Sequence, residues 1–234
     1  MKILTINIIN NKDNRNNINN SLILAKKIKE LDIDIIGVQE LSKSFASNLL
    51  NNLAGYNRYG EYRYKLNYFF NESDSIITNK KVRESSTYKL PYKPSNIKDL
   101  IVGVKKKRLA KRLVTDIILE DKIIIFNTHL SLSMRGVQKK ELAYLERLIT
   151  KYKDNYKVIV MGDFNMTSDN SNFKEFVNYL KNINIMRVPI DEITHNKFSK
   201  AIDHIFIDKK FKLKDYKLIE LSITDHKGIY IEID

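Results

Sequence analysis

Asp163 and Asn165 stand two residues apart at the end of an apolar run, Lys157-Val158-Ile159-Val160-Met161-Gly162-Asp163-Phe164-Asn165. In strand-like backbone the i and i+2 side chains share a face. A carboxylate able to take a proton and an amide able to donate a hydrogen bond would then point the same way, as suits a site that activates a water while steadying an anion. The same word also reads as an ordinary turn, because Asp and Asn after a strand form local hydrogen bonds. Other polar groups occupy comparable places: Asn7 among apolar neighbours in Lys2–Ile9, Glu40 after Ile35-Ile36-Gly37-Val38-Gln39, His129 after Ile123–Thr128, and Asp225-His226 before Gly228–Ile233. Asp203 is embedded in the apolar Ile202–Ile207. An unpaired carboxylate there is costly, so it is expected to orient a histidine or a cation. Each residue alone has a capping or turn reading; six coincidences of one kind along one chain argue for a shared site.

The elements that would carry these groups follow from hydrophobic periodicity. Residues 2–9 alternate as a strand, 10–20 read as a polar loop, and from Ser21 the residues Leu22, Ala25 and Ile28, with Leu24 and Leu31, have helical spacing. Lys26, Lys27 and Lys29 face outward. Asp34–Glu40 is a second buried-type strand, so strand, helix and strand lead to an acid. A short helix at about 42–53 follows, then strands around Ser75–Thr78 and Val82–Leu90, and at Leu113–Leu119 and Ile123–Asn127. A long amphipathic helix from Gly136 to about Tyr152 turns Leu142, Leu145, Leu148 and Ile149 inward. A helix at about 171–182 and strands at Ile202–Ile207 and Gly228–Ile233 complete the pattern. No internal repeat, linker or boundary divides it, so a single domain over residues 1–234 is expected.

Composition sets limits on the chemistry. Hydrophobic and charged contents of 43 % and 29 % over 234 residues fit a globular protein. No apolar run is long enough to span a bilayer. The N-terminal segment reads as a strand rather than a signal peptide, so a cytoplasmic monomer without stable membrane insertion is expected. The absence of cysteine excludes thiolate catalysis, disulfides and Cys-type zinc sites. Oxygen and imidazole ligands remain, which favour Mg²⁺ or Mn²⁺. A net charge of +13 favours anionic partners: nucleic acid, phosphoinositides or an anionic lipid surface. Drift in a Lys-, Asn- and Ile-rich composition explains the charge equally well. Lys105-Lys106-Lys107-Arg108 with Lys111 and Arg112 reads either as a grip on a phosphate backbone or as a solvated hairpin turn. Tyr62, Tyr64, Leu66 and Tyr68, interleaved with Arg63 and Lys65, read either as a base-stacking surface or as one face of a hairpin.

The local words and their order resemble those of the endonuclease/exonuclease/phosphatase superfamily, the deoxyribonuclease I-like metal-dependent phosphoesterases. The words are Thr5-x-Asn7, Val38-Gln39-Glu40, Asn127-Thr128-His129-Leu130, Gly162-Asp163-Phe164-Asn165, Ile202-Asp203-x-Ile205-Phe206 and Thr224-Asp225-His226, and they span nearly the whole chain. The resemblance implies a four-layer α/β sandwich, two packed mixed β-sheets flanked by helices, with the site at one end. It makes Glu40 the principal metal carboxylate, with Asn7 and Asp225 near the Mg²⁺ or Mn²⁺ ion or its waters. Asp163 would orient or deprotonate the attacking water, and Asn165 would hold the phosphate. His226, paired with Asp203, and His129 would donate hydrogen bonds to phosphoryl oxygens or serve in acid–base steps. Arg135 and Gln138 at the mouth of the long helix look like the branch of deoxyribonuclease I, neutral sphingomyelinases, deadenylases and assorted bacterial phosphodiesterases. The Tyr-x-Pro-Asn word of apurinic endonucleases is missing. Glu72 or Asp74 is the candidate partner of His129, in a strand that lacks the glycine expected there.

The expectation is therefore a divalent-metal-dependent phosphodiesterase, foremost a nuclease on DNA or RNA, with Arg135, Lys111 and Arg112 binding substrate. A phospholipid, sphingomyelin or inositol-phosphate phosphoesterase is the first alternative. It is opposed by the lack of Trp and of an apolar hairpin for membrane entry. A non-catalytic nucleic-acid-binding module on the same fold is the second.

Overall fold

Among the described residues, the strands form two six-stranded mixed sheets that pack face to face, with helices on their outer surfaces. The structure is a computed structural model and describes residues 1–15, 17–64, 71–94, 97–98, 100–101, 111–132 and 134–234. In chain order the first part runs β1 (Lys2–Asn7), α1 (Lys12–Arg15), α2 (Ile18–Leu31), β2 (Ile35–Ser42), α3 (Lys43–Asn51), β3 (Asn57–Tyr59) and β4 (Glu72–Thr78). Next come β5 (Val82–Lys89), β6 (Leu113–Leu119), β7 (Ile123–His129), α4 (Arg135–Lys153) and β8 (Lys157–Asp163). The last part is α5 (Ser171–Asn182), β9 (Ile185–Arg187), β10 (Asp203–Asp208), β11 (Leu213–Ile219) and β12 (Gly228–Ile233).

The sheets have the orders β11-β12-β1-β2-β4-β3 and β5-β6-β7-β8-β10-β9. Each holds one parallel pair at its centre, β1 with β2 and β7 with β8. A parallel pair needs a crossover, which α2 and α4 supply. The central strands are buried on both faces, and this is why they read as continuous apolar runs. Ile3, Ile35, Ile125, Ile159, Met161 and Ile231 fill the layer between the sheets. The alternate residues Leu4, Ile6, Ile36 and Val38 pack beneath Leu24 and Ile28 of α2 and Phe45 and Leu49 of α3. On the other side Phe126, Val158 and Val160 meet Leu142, Leu145 and Ile149 of α4 and Phe173 and Phe176 of α5. Four layers result, as expected. No described helix is long and apolar enough to cross a membrane.

Several expectations need correction. The stretch 10–20 is not all loop: α1 lies within it, and α2 starts at Ile18, capped by the Asn17 side chain accepting from the Asn20 N–H. Leu22 is exposed, because the buried side of α2 is Ser21, Leu24, Ala25 and Ile28. Three strands carried no recognisable pattern, β3, β9 and β11. The residues from Lys214 to Lys217 in β11 are exposed and polar or aromatic, so no apolar run marks that edge strand. Lys105–Arg108 and the Lys65, Leu66 and Tyr68 part of the tyrosine pattern lie outside the described residues.

Candidate active site

The two parallel pairs bring four of the polar groups to one end of the sandwich. Asn7 closes β1, His129 closes β7 and Asp163 closes β8, with His129 and Asp163 directly opposite one another in register. Glu40 does not end its strand as expected. Strand β2 runs on to Ser42, and Glu40 sits at a register shift between Val38 and Leu41 with φ +57°. The bulge turns the side chain out of the ladder and toward the cleft. Ile9 (φ +52°) and Asn165 (φ +52°) share this left-handed conformation and line the same cleft. Non-glycine residues held in that region store strain, which collects at functional sites.

The cavity they enclose is about 220 Å³. Asn7, Glu40, His129, Asp163, Asn165, Asp225 and His226 all line it, as does Arg112. Asp203 stands immediately behind, its Oδ2 2.9 Å from His226 Nδ1. The backbone N–H groups of Ile202 and Asp203 both donate to Thr194 Oγ1, which fixes the start of β10. Asp163 Oδ1 accepts the N–H of Asn165 at 2.8 Å. Its Oδ2 accepts from Asn7 Nδ2 at 3.1 Å and lies 3.5 Å from His129 Nε2 and 3.9 Å from His226 Nε2. Asn165 Nδ2 donates to the Leu130 carbonyl at 2.9 Å and lies 3.0 Å from His129 Nε2.

Burial shapes the proton affinities. Desolvation, and then the charge of Asp203, push Asp163 up to about 7 against the pull of His226 and of its Asn165 and Asn7 hydrogen bonds. For His226 burial acts downward, but the Asp203 carboxylate outweighs it, and the imidazole rises to about 9. His129 is driven well down, by burial and then by Arg112 and Arg63. Two neighbouring groups with opposed preferences, a carboxyl that resists ionising and an imidazole that keeps its proton, make an acid–base pair.

The sequence pattern places Arg63 among the cations between tyrosines. It is instead only 4 % exposed. It pairs with Glu72 and with Asp74 (3.3 Å), and its Nη2 lies 3.4 Å from His129 Nδ1. The anticipated partner Asp74 therefore reaches His129 largely through Arg63, at 3.9 Å itself. Nothing in an alternating Tyr/Arg/Lys stretch distinguishes a buried arginine from an exposed one. Asn127, which belongs to the Asn-Thr-His word but was given no role, joins the sheets beneath the site. It accepts from Gln39 Nε2 at 2.6 Å and donates to the carbonyls of Ser75 and Val38. His195, which the sequence gives no role, packs against His226 with ring centroids 4.3 Å apart and planes tilted by 53°.

Of the expected substrate cations, Arg112 lines the cavity. Arg135 lines an adjoining cavity of about 620 Å³ that shares Leu132, Asn165 and Phe198 with the first. Lys111 lines neither and lies over the Tyr64 ring.

Asn7, Glu40 and Asp225, the expected metal residues, all line the first cavity. Asn7 Nδ2 sits between Glu40 Oε1 (3.3 Å) and Asp163 Oδ2, while its Oδ1 accepts the Ile9 N–H. Asp225 lies beside His195 Nε2, at 3.9 Å. Among the described residues, the acid and imidazole groups that converge within 4.8 Å are His195, Asp225 and His226, and Asp163, Asp203 and His226. A donor set of carboxylates and one amide, without thiolate, still fits a hard divalent cation. Asp225 Oδ1, buried without a hydrogen-bond partner, is the kind of acceptor such a cation would satisfy.

Comparison with known proteins bears on the fold and the family. No curated protein matches the sequence. An endonuclease/exonuclease/phosphatase from Bacteroides vulgatus superposes with a TM-score of 0.79 at 19 % identity, over 100 % of this chain and 98 % of that one. A mannosyl-6-phosphatase of Bacteroides thetaiotaomicron gives 0.76 at 16 % identity, over 100 % and 99 %. D. rerio TDP2, in complex with a single-strand DNA product, gives 0.70 at 16 % identity, over 100 % and 98 %. The sequence itself matches the Endonuclease/Exonuclease/phosphatase family over residues 9–226. The chain belongs to the endonuclease/exonuclease/phosphatase family and is a phosphoesterase.

Proposed function

We propose that this phosphoesterase is a divalent-metal-dependent phosphodiesterase that hydrolyses nucleic acid by in-line attack of water. The observation that carries the reading is the meeting of Asn7, Glu40, His129, Asp163, Asn165, Asp225 and His226, from five separate segments, around one cavity of about 220 Å³. In this reading Asp163, held by Asn7 and the Asn165 N–H, aims the water and accepts its proton. His226, its ring oriented by Asp203, presents Nε2 to a phosphoryl oxygen. Asn165 Nδ2, His129 and Arg112 supply further donors to the oxygens on which charge builds. Glu40, Asp225 and Asn7 would hold a divalent cation, whose positive charge would offset that of the phosphate.

Nucleic acid is favoured by the net charge of +13 and by the bound single-strand DNA product of the TDP2 neighbour. The mannosyl-6-phosphatase neighbour and the small cavity favour a second reading, a phosphomonoesterase acting on sugar phosphates. A substrate panel with Mg²⁺ and Mn²⁺ separates the two: single- and double-stranded DNA, RNA, abasic DNA, sphingomyelin and hexose phosphates. Turnover of an oligonucleotide is the expected result. Turnover of hexose phosphate alone would overturn the nucleic-acid assignment.

A further inference from the structure

Phe198 is the large aromatic side chain at the border of the catalytic cavity. It is 49 % exposed, and it lines both the 220 Å³ cavity and the adjoining 620 Å³ one. Its ring does not hang free. It lies on His195, with centroids 4.4 Å apart and planes at 35°, and the Phe198 N–H points at His195 Nδ1 at 3.4 Å. His195 in turn lies 4.3 Å from His226. The three rings pack in series, the His195–His226 pair tilted at 53°, from His226 in the catalytic cavity to Phe198 at the larger one. His195 is held by the backbone on both sides: its N–H donates to the Lys200 carbonyl at 2.9 Å, and the Asn196 N–H donates to the Asp225 carbonyl at 2.8 Å. An aromatic ring fixed from behind and bare in front is a stacking platform that costs little further ordering when a ligand binds.

The larger cavity beside it is lined mainly by neutral polar groups, with two cations and one anion among them. Arg135 and Lys200 line the larger cavity, with Asp169 and Thr167 as hydrogen-bonding groups. Its volume is that of a small-molecule site and suits one nucleoside. Flat bases stack on aromatic faces whatever their identity, and nearby cations meet the flanking phosphates.

From this geometry we infer that Phe198 stacks the base of the nucleotide next to the scissile phosphate, and that the larger cavity is a one-nucleoside subsite. The inference rests on the phosphodiesterase reading above and narrows its substrate. A base lying on Phe198 has left its own stack, so the preferred nucleic acid is single-stranded or frayed at the site of cleavage.

The test compares two chromogenic diesters with the same leaving group, thymidine 5′-(p-nitrophenyl phosphate) and methyl p-nitrophenyl phosphate. For the wild-type chain kcat/KM favours the nucleoside ester. In Phe198→Ala that preference falls about tenfold, mainly through KM, and Phe198→Tyr restores it. An equal preference in wild type and Phe198→Ala would overturn the inference. If the wild-type chain turns over neither ester with Mg²⁺ or Mn²⁺, the phosphodiesterase reading fails, and stacking is judged by binding alone. Quenching of 2-aminopurine riboside 5′-monophosphate that is lost in Phe198→Ala supports the subsite. Quenching that is unchanged, or abolished by hexose 6-phosphate but not by thymidine monophosphate, contradicts it.

Discussion

Replacing Gly162 by alanine would test whether the Gly-Asp-Phe-Asn word needs its glycine for the packing of β7 against β8. Gly162 has φ +140°, and a Cβ built on it falls 1.9 Å from the Thr128 carbonyl oxygen and 2.9 Å from that carbonyl carbon. Those atoms are backbone of the paired strand, so no side-chain rotation relieves the clash. A non-glycine residue in this conformation is strained by ~1–3 kcal/mol. Forcing a methyl group into filled space adds ~1–3 kcal/mol. Strands sit ~4.8 Å apart, and parting β7 from β8 by the ångström or more required loses ladder hydrogen bonds worth ~1 kcal/mol each. The expected cost of Gly162→Ala is therefore ~4 kcal/mol or more, a fall in Tm of about 8–16 °C for a chain of this length. Because His129 and Asp163 face one another across this same register, hydrolytic activity falls with it. Gly55→Ala is the control, since Gly55 also has a positive φ, +82°, with nothing within 4 Å of a new Cβ. Urea unfolding of the two variants makes the comparison. A Gly162→Ala protein within about 1 kcal/mol of Gly55→Ala would refute the steric argument.

Two further substitutions probe buried charge. Glu141 accepts from the Ser131 N–H at 2.9 Å and the Ser131 hydroxyl at 2.6 Å, yet burial pushes its carboxyl from 4.5 up to about 7. Between those values the folded chain holds more protons than the unfolded one, so stability falls as pH rises through the window. At ~1.4 kcal/mol per pH unit the loss is about 3 kcal/mol, and Glu141→Gln, which can keep both Ser131 bonds, lacks it. Urea titrations at about pH 4 and about pH 8.5 read the difference; parallel behaviour of the two proteins would contradict the assignment. Arg63→Met leaves Asp74, fully buried, and Glu72, 16 % exposed, without their ion-pair partner, with only the more distant charge of Arg112 acting on them. The expected loss is ~3–5 kcal/mol, partly recovered by adding Asp74→Asn. A loss below about 1 kcal/mol would show that solvent reaches the network.

The layers, and the strand ends that bring most of the candidate site residues together, were legible because they depend on local pattern. Val158-Ile159-Val160 buries both faces of one strand, and α5 carries Phe173, Phe176 and Leu180 at helical spacing. The polar words follow such strands, and the parallel crossovers then bring Asn7, His129 and Asp163 to one end. What stayed hidden depends on residues far apart in the chain. Arg63 has no signal of its own, since its burial comes from Glu72 and Asp74 folding over it. Strand β11 is recognisable only through its pairing with β12, because its own exposed residues do not alternate with apolar ones. The bulge at Glu40 arises from the register of β2 against β4. The contact of His195 with His226 joins residues 31 positions apart, and neither sequence anticipates the other.

We propose Asp163 as the water-directing carboxylate of a phosphoester-hydrolysing site. Its most direct test is hydrolysis of bis-p-nitrophenyl phosphate by the wild-type chain and by Asp163→Ala, with Mg²⁺ or Mn²⁺ and with EDTA, both proteins first matched by circular dichroism. Metal-dependent turnover that EDTA abolishes and that drops by about 10²–10⁴ in the folded variant is expected. Turnover that survives EDTA, or a folded Asp163→Ala protein as active as the wild type, would contradict the account.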